Sequence, residues 1–307
     1  MYLDPLSNFY YHTKPYVETQ EDLVFKQSID LAIRSYAGGR NTSTYVGKYT
    51  GLLLDIDLSS AYSTILNLIR NLDFKSCGGI EKFREELQKY DGTVLPIAMA
   101  EVEFSFPKGC EYPSLAVKTN DGLFYVYNGR TTATLPEIHL AIQQGAKIRF
   151  IDAIVMSIDT RPLKKLKNLQ YTSSGPDFTL KDYQYQFKEF CGKFDNFIFR
   201  RFLTDKILAR TKAKKNGNEL LQQLLKNYVN GLYGKTAQGL NKKSTYVVGK
   251  GTSKPLPASM ITSPYIASMV TGVVRAALSC IMDAISKLDG YKLISATTDG
   301  VLYSVPP

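Results

Sequence analysis

Two acids at the ends of apolar runs are the residues best placed to do chemistry in this sequence. Residues 52–57 (LLLDID) read as a buried strand that delivers Asp57 to a turn, and residues 292–303 (KLISATTDGVLY) read as a hairpin whose tight Asp-Gly turn places Asp299 at its tip. An acid held at the rim of a sheet can grip a divalent cation from one side and leave the other side to substrate phosphates. A lone Asp-x-Asp such as Asp55 and Asp57 is equally well explained as punctuation between a strand and a helix.

A second group lies on one helix. Lys226, Asn230 and Tyr233 fall at i, i+4 and i+7 and so share a face. An ammonium, an amide and a phenol in a row suit a nucleotide, the first on its phosphates and the others near sugar and base. Lys206 and Arg210 repeat the i, i+4 spacing on the preceding helix. A solvated face would explain the lysines, but not the glycines that flank the aromatic in Asn230-Gly231-Leu232-Tyr233-Gly234. In Tyr36-Ala37-Gly38-Gly39-Arg40, adjacent glycines beside a ring and a fixed charge allow close approach of a phosphate backbone. Taken alone, that stretch is a glycine turn. Thr271 and Arg275 are i, i+4 partners in an apolar helix, where the guanidinium demands an anionic or hydrogen-bonding partner.

The elements that must hold these groups follow from periodicity and turn signals. Residues 21–34 form an amphipathic helix, Ser59-Ser60 offer cap oxygens to a helix that opens near Tyr62, and residues 67–87 read as helix broken at Cys77-Gly78-Gly79. Alternating and aromatic strands follow, with Asn128-Gly129 closing one of them. A helix is expected over 131–144, capped by Gly145, then a strand at 148–156. His139 sits among apolar neighbours and reads as a packing residue. Two helices, 187–213 and 219–233, are joined by a turn at 215–218, the second ended by Gly234. Residues 235–262 read as an exposed hairpin or loop, and 263–288 as a long apolar helix.

Composition narrows the partners. A chain of 307 residues with 44% hydrophobic content can bury a full core, and its net charge of +10 points to a polyanion. The charge is concentrated: Arg200, Arg201, Lys206, Arg210, Lys212, Lys214 and Lys215 crowd one segment, and Lys164, Lys165 and Lys167 form a smaller cluster. No stretch is expected to approach the roughly 20 apolar residues of a membrane span, and the first residues lack a signal-peptide pattern. The four cysteines are far apart, which argues against zinc knuckles and disulfides and for a reducing, intracellular compartment, a host cytoplasm or organelle matrix.

Together these residues resemble the family B DNA polymerases. The first family signature, Asp-x-x-Ser-Leu-Tyr-Pro, is matched by Asp57, Ser60, Tyr62 and their neighbours, with Ala61 and Ser63 replacing Leu and Pro. The second, Lys-x-x-x-Asn-Ser-x-Tyr-Gly, is matched by Lys226, Asn230, Tyr233 and Gly234, with Gly231 for Ser. The third, Asp-Thr-Asp-Ser, is present as Thr297-Thr298-Asp299-Gly300, and the Tyr-x-Gly-Gly element as Tyr36 to Gly39. The insertions resemble those of the protein-primed phage and plasmid subgroup.

The resemblance implies an α+β fold: a polymerase palm with an antiparallel sheet, helical fingers and an inserted mixed subdomain. Its parts are expected at 1–50 (template-contact segment), 51–75 (palm), 76–180 (insertion), 181–234 (fingers), 235–262 (second insertion) and 263–307 (palm). It implies template-dependent DNA synthesis with DNA primer-template and dNTPs as partners, and two Mg2+ ions, or Mn2+ in their place, on Asp57, Asp299 and the Leu58 or Ile56 carbonyl. Lys206 and Lys226 would hold the triphosphate, Tyr62 would pack on the sugar, and Asn230 and Tyr233 on the nascent pair. Tyr36, Gly38, Gly39, Arg40, Gly234, Thr271 and Arg275 would contact DNA. No membrane partner is implied; a terminal protein primer, or a separate chain bearing a thumb or exonuclease, is. Thr297 departs from the third signature by removing one carboxylate, and the stop at Pro307 leaves out the thumb, as in a fragment or split enzyme. A degenerate DNA-binding relative and a two-metal nuclease stay open as alternatives.

Overall fold

A computed structural model describes residues 20–49, 51–158, 197–240, 244–247, 249 and 251–305. Antiparallel sheets and helices combine in an α+β arrangement, as expected. The first sheet joins β1 (Arg40–Ser43), β11 (Lys292–Thr298), β12 (Gly300–Val305) and β2 (Leu52–Asp57) in that order. Strands separated by more than two hundred residues therefore meet, and this is what brings Asp57 beside Asp299. The expectation of a buried β2 fails: all six of its residues are exposed. β2 is the outer strand, bonded to β12 through Leu52↔Val305 to Asp57↔Gly300, so its leucines do not reach the core.

The second sheet has the order β3 (Leu72–Gly78), β8 (Lys147–Ile158), β4 (Ala98–Ser105), β7 (Asn128–Thr134), all antiparallel. Two of these strands correct the sequence reading. Residues 72–78 are a strand and not helix: α2 (Ala61–Leu68) stops early, and β3 pairs with β8 before α3 (Ile80–Lys89) begins. Residues 128–134 extend as β7 along β4, so α4 (Leu135–Gln143) starts four residues later than expected. Its start is fixed by a capping box between Thr134 and Glu137, with proline in the first turn. Gly145, at φ +83°, follows it as expected. His139 packs edge-on against Tyr90, in keeping with a packing role.

Helix α7 (Pro264–Ser286) runs through the centre. Ser263 caps it, and sixteen of its residues are buried, including Met269, Val270 and Leu278. Its length and apolar composition match those of a membrane span, contrary to the expectation that no stretch would, but here it packs against α1 (Gln20–Ser35), α2, α4, β7 and β11. Gly272 permits one of these contacts, since a Cβ there would lie 2.3 Å from Thr134 Oγ1. Helices α5 (Arg200–Lys215) and α6 (Glu219–Ala237) project as a pair joined at 216–218. The beginning of the expected 187–213 helix and the cluster at Lys164 to Lys167 lie outside the described residues. Strands β9 (Ser244–Val247) and β10 (Thr252–Pro255) form the expected hairpin, and β5 (Ala116–Thr119) pairs with β6 (Gly122–Tyr125).

Candidate functional site

Asp57 ends β2 and Asp299 occupies the turn between β11 and β12, so antiparallel pairing places them side by side. The turn residues are Thr298 and Asp299, because Thr297 pairs with Gly300; the expected Asp-Gly turn is displaced by one residue. Gly300 is needed for a different reason: a Cβ there would stand 2.5 Å from Asp57 Oδ1. The Leu58 N–H donates to the Asp299 carbonyl at 2.8 Å, locking the two strand ends together. Burial, and after it the charge of Asp57, holds the Asp299 carboxyl above its ordinary range. Among the described residues no lysine or arginine forms an ion pair with either acid.

Two uncompensated carboxylates facing one another suit divalent cations. The Leu58 carbonyl accepts only a long bond from Ala61 N, at 3.3 Å, and can serve as a further oxygen donor. No group of three or more candidate ligands occurs among the described residues, so water and substrate oxygens would complete any coordination shell. The residues present therefore fit Mg2+ or Mn2+, hard ions that accept oxygen ligands and retain water.

Three tyrosines from distant segments contact one another, and one of them, Tyr62, lies near enough to Asp299 to feel its charge. Tyr62, on α2, stacks on Tyr233 of α6 with ring centroids 4.6 Å apart and planes 27° apart. Tyr233 is hydrogen-bonded to the buried Tyr36, and both burial and this bond push its phenol up. Burial, then the charge of Asp299, pushes Tyr62 up to about 12. The Tyr62 and Tyr233 phenols are therefore neutral near pH 7 and present ring faces and hydroxyls without charge. Ser60, expected to cap α2, takes a left-handed conformation at φ +53° with no side-chain cap bond, and this sharp turn swings Tyr62 toward the acids.

Lys226 and Asn230 are exposed on α6, on the turns preceding Tyr233. Lys206 on α5 reaches back toward the same helix pair, its Nζ 5.7 Å from the Phe202 ring centre and 5.9 Å from that of Tyr228. Gly231 and Gly234 do not stop the helix, which continues to Ala237. Open space lies where their side chains would be, which bares the backbone beside Asn230 and Tyr233. Gly38 is similarly open, whereas Gly39 presses on the turn at Thr298, where a Cβ would lie 2.8 Å from the Cα.

Three residues expected to contact DNA, Arg40, Thr271 and Arg275, are buried and bonded within the protein. Arg40 is 2% exposed; its guanidinium donates to Pro113 O and Ser279 Oγ and lies over the Tyr125 ring at 3.7 Å. Burial lowers its pKa to about 10. Thr271 is buried and donates to the carbonyls of Ala267 and Ser268. Arg275 is buried too, and its partner, unidentified in the sequence, is Glu137. The signal that could have found Glu137 is the capping box Thr134-x-x-Glu137 ahead of an apolar run.

Comparison with known proteins gives a consistent result. The family model described as DNA polymerase type B, organellar and viral, matches residues 7–297. A primer-independent DNA polymerase, PolB, of Escherichia coli is 32% identical over 278 residues, which is 89% of this chain and 28% of that protein. The phi29 DNA polymerase in ternary complex with primer-template DNA and incoming nucleotide substrates superposes with a TM-score of 0.54 at 15% identity, over 91% of this chain and 43% of that one. Its post-translocation binary complex with primer-template DNA gives 0.56 at 13% identity, again over 91% and 43%. The chain thus spans under half the length of these relatives, and the superpositions speak for the fold alone.

Proposed function

This chain belongs to the type B DNA polymerases of organelles and viruses, and from that premise we propose that it carries the nucleotidyl-transfer site of a template-dependent DNA polymerase serving a phage- or plasmid-type genome. The observation that supports this best is the apposition of Asp57 and Asp299, with Tyr62, stacked on Tyr233, close to Asp299. On this reading the first sheet with α7 is the palm, α5 and α6 are the fingers, and the β3-β8-β4-β7 sheet belongs to the inserted subdomain.

Asp57, Asp299 and the Leu58 carbonyl would hold two Mg2+ ions, with Mn2+ as a substitute. Bound there, such ions supply the positive charge that activates a primer hydroxyl and offsets the charge of the departing pyrophosphate. The protein's own residues do the positioning. Lys226 and Lys206 attract the triphosphate, and Tyr62 bars a 2'-hydroxyl by packing against the sugar. Asn230 and Tyr233 support the nascent pair, while Gly234 and the Tyr36-to-Gly39 loop admit the DNA backbone closely. Initiation on a protein primer is part of the same proposal, carried by the resemblance of the insertions to those of the protein-primed subgroup.

Extension of a labelled primer-template with Mg2+ and all four dNTPs tests this reading, with Asp299→Ala as the control. Extension lost in the variant supports it. DNA binding without extension, in a chain supplemented with the remaining segments of its relatives, would instead mark a degenerate binder, the reading that Thr297 favours.

A further inference from the structure

Thr298 holds an unusual backbone. It precedes Asp299 in the turn at φ +56°, in the left-handed region, where a β-branched residue is disfavoured. The neighbouring carboxylate takes its position from this turn, so whatever stabilises Thr298 also sets Asp299.

The stabilising group is Asn41. Its Oδ1 accepts the Thr298 backbone N–H at 3.0 Å and lies 3.4 Å from the Thr298 hydroxyl. The Thr298 N–H can only donate, which fixes the amide with its oxygen toward the turn. Asn41 pairs with Thr297 across β1 and β11, so its side chain is delivered next to the turn by register. Gly39 presses on Thr298 from the adjoining segment, with no room for a side chain. The turn in its strained form is thus held from one side by contact and from the other by a hydrogen-bonded clamp. Asn41 is exposed and, among the described residues, its side chain bonds only to Thr298, so a purely solvated role leaves its orientation without a cause.

We propose that Asn41 is a positioning residue for Asp299: it acts through the Thr298 backbone to hold the acid where it meets Asp57. The proposal deepens the polymerase reading and rests on it for its catalytic consequence, but the clamp itself can be measured without catalysis. The reporter is the Leu58 amide, which donates to the Asp299 carbonyl and is protected from hydrogen exchange only while that carbonyl stays in place.

The experiment compares the wild-type chain with Asn41→Ala, Thr298→Gly and the double variant. Glycine takes a positive φ without strain, so it dispenses with the clamp. In Asn41→Ala, exchange of the Leu58 amide is expected to speed up about tenfold or more, and the double variant is expected to restore it. In primer extension, Asn41→Ala should lower kcat about ten- to a hundredfold with little change in the KM for dNTP, and the double variant should recover most of the loss. Unchanged Leu58 exchange in Asn41→Ala overturns the proposal, whether or not the chain polymerises. So does a double variant no better than Asn41→Ala, since the loss would then not run through Thr298. Absence of extension by the wild-type chain supplemented with the remaining segments of its relatives, with exchange behaving as expected, overturns the polymerase reading while the clamp stands.

Discussion

Glu137 and Arg275 form a doubly hydrogen-bonded ion pair, Nε to Oε1 at 2.8 Å and Nη2 to Oε2 at 3.1 Å, with side chains 5% and 4% exposed. The pair is fully satisfied. Arg275 Nη1 donates to the carbonyls of Ala37 and Gly38, and Glu137 Oε2 accepts from the Thr134 N–H and hydroxyl. One contact therefore joins the central helix, the start of α4 and the Tyr36-to-Gly39 loop. Its value is more in specifying this arrangement than in net stability, because desolvating two charges offsets much of their attraction.

Removing one partner strands the other charge. Glu137→Gln is expected to destabilise the fold by about 3–5 kcal/mol, measured as a shifted urea midpoint. The double variant Glu137→Gln with Arg275→Met should recover part of that loss, because no unpaired charge is left. A single variant within about 0.5 kcal/mol of the parent would show that the pair is not an organising contact.

Arg40 offers a contrast between residue type and placement. Arg40→Met should reduce stability by about 1–3 kcal/mol through the lost bonds to Pro113 and Ser279. It should leave the salt dependence of DNA binding unchanged. A phosphate contact predicts the opposite, a fall of about one in the slope of log K against log salt. A titration of DNA binding between low and moderate salt decides the matter.

What was legible in the sequence and what was not divides along physical lines. Helix α7 was readable because its apolar run and Ser263 cap are local, and the hairpin at Asp299 because its strands are adjacent. The second sheet was legible only in part: β4 and β8 read as strands, but β3 is a strand only because β8 lies beside it, more than seventy residues later, and strand preference depends on such neighbours. The leucines of β2 suggested burial, yet an edge position in the sheet overrides hydrophobicity. Arg40 looked like a phosphate ligand by charge. Its register opposite Thr298 and the ring of Tyr125 instead carry it inward. The residue types of the candidate site were visible, while the residues that hold them, Asn41 and Glu137, become meaningful only through pairing across the chain.

Tyr62 is stacked on Tyr233 and lies close to Asp299, and on the proposed reading a nucleotide sugar entering there would meet the Tyr62 ring. Tyr62→Ala is expected to raise ribonucleotide incorporation relative to deoxyribonucleotide by about tenfold or more, since one excluded hydroxyl is worth on the order of 1–3 kcal/mol. Single-nucleotide insertion with dNTP and rNTP in parallel reads this ratio. An unchanged ratio would remove the sugar contact, and a loss of both insertions alike would place Tyr62 in support of the fold.

Asp299 links stability to function with a sign that can be checked. Its carboxyl is raised by burial and then by Asp57, so the folded chain binds that proton more tightly than the unfolded chain does. Stability from this group therefore falls as pH rises from the ordinary aspartate range through the raised value, and the cost is complete at neutral pH. Asparagine at this position never bears the charge. Asp299→Asn should melt above the parent at neutral pH, and the difference should vanish below about pH 3, where both forms are neutral. Mg2+ should narrow the gap by raising the parent's melting temperature, because the ion favours the ionised pair. Extension should be lost in the same variant, the signature of a residue kept for chemistry at the expense of stability. A variant that melts below the parent across the whole pH range would mean that Asp299 stabilises the turn, and that its charge is compensated in solution.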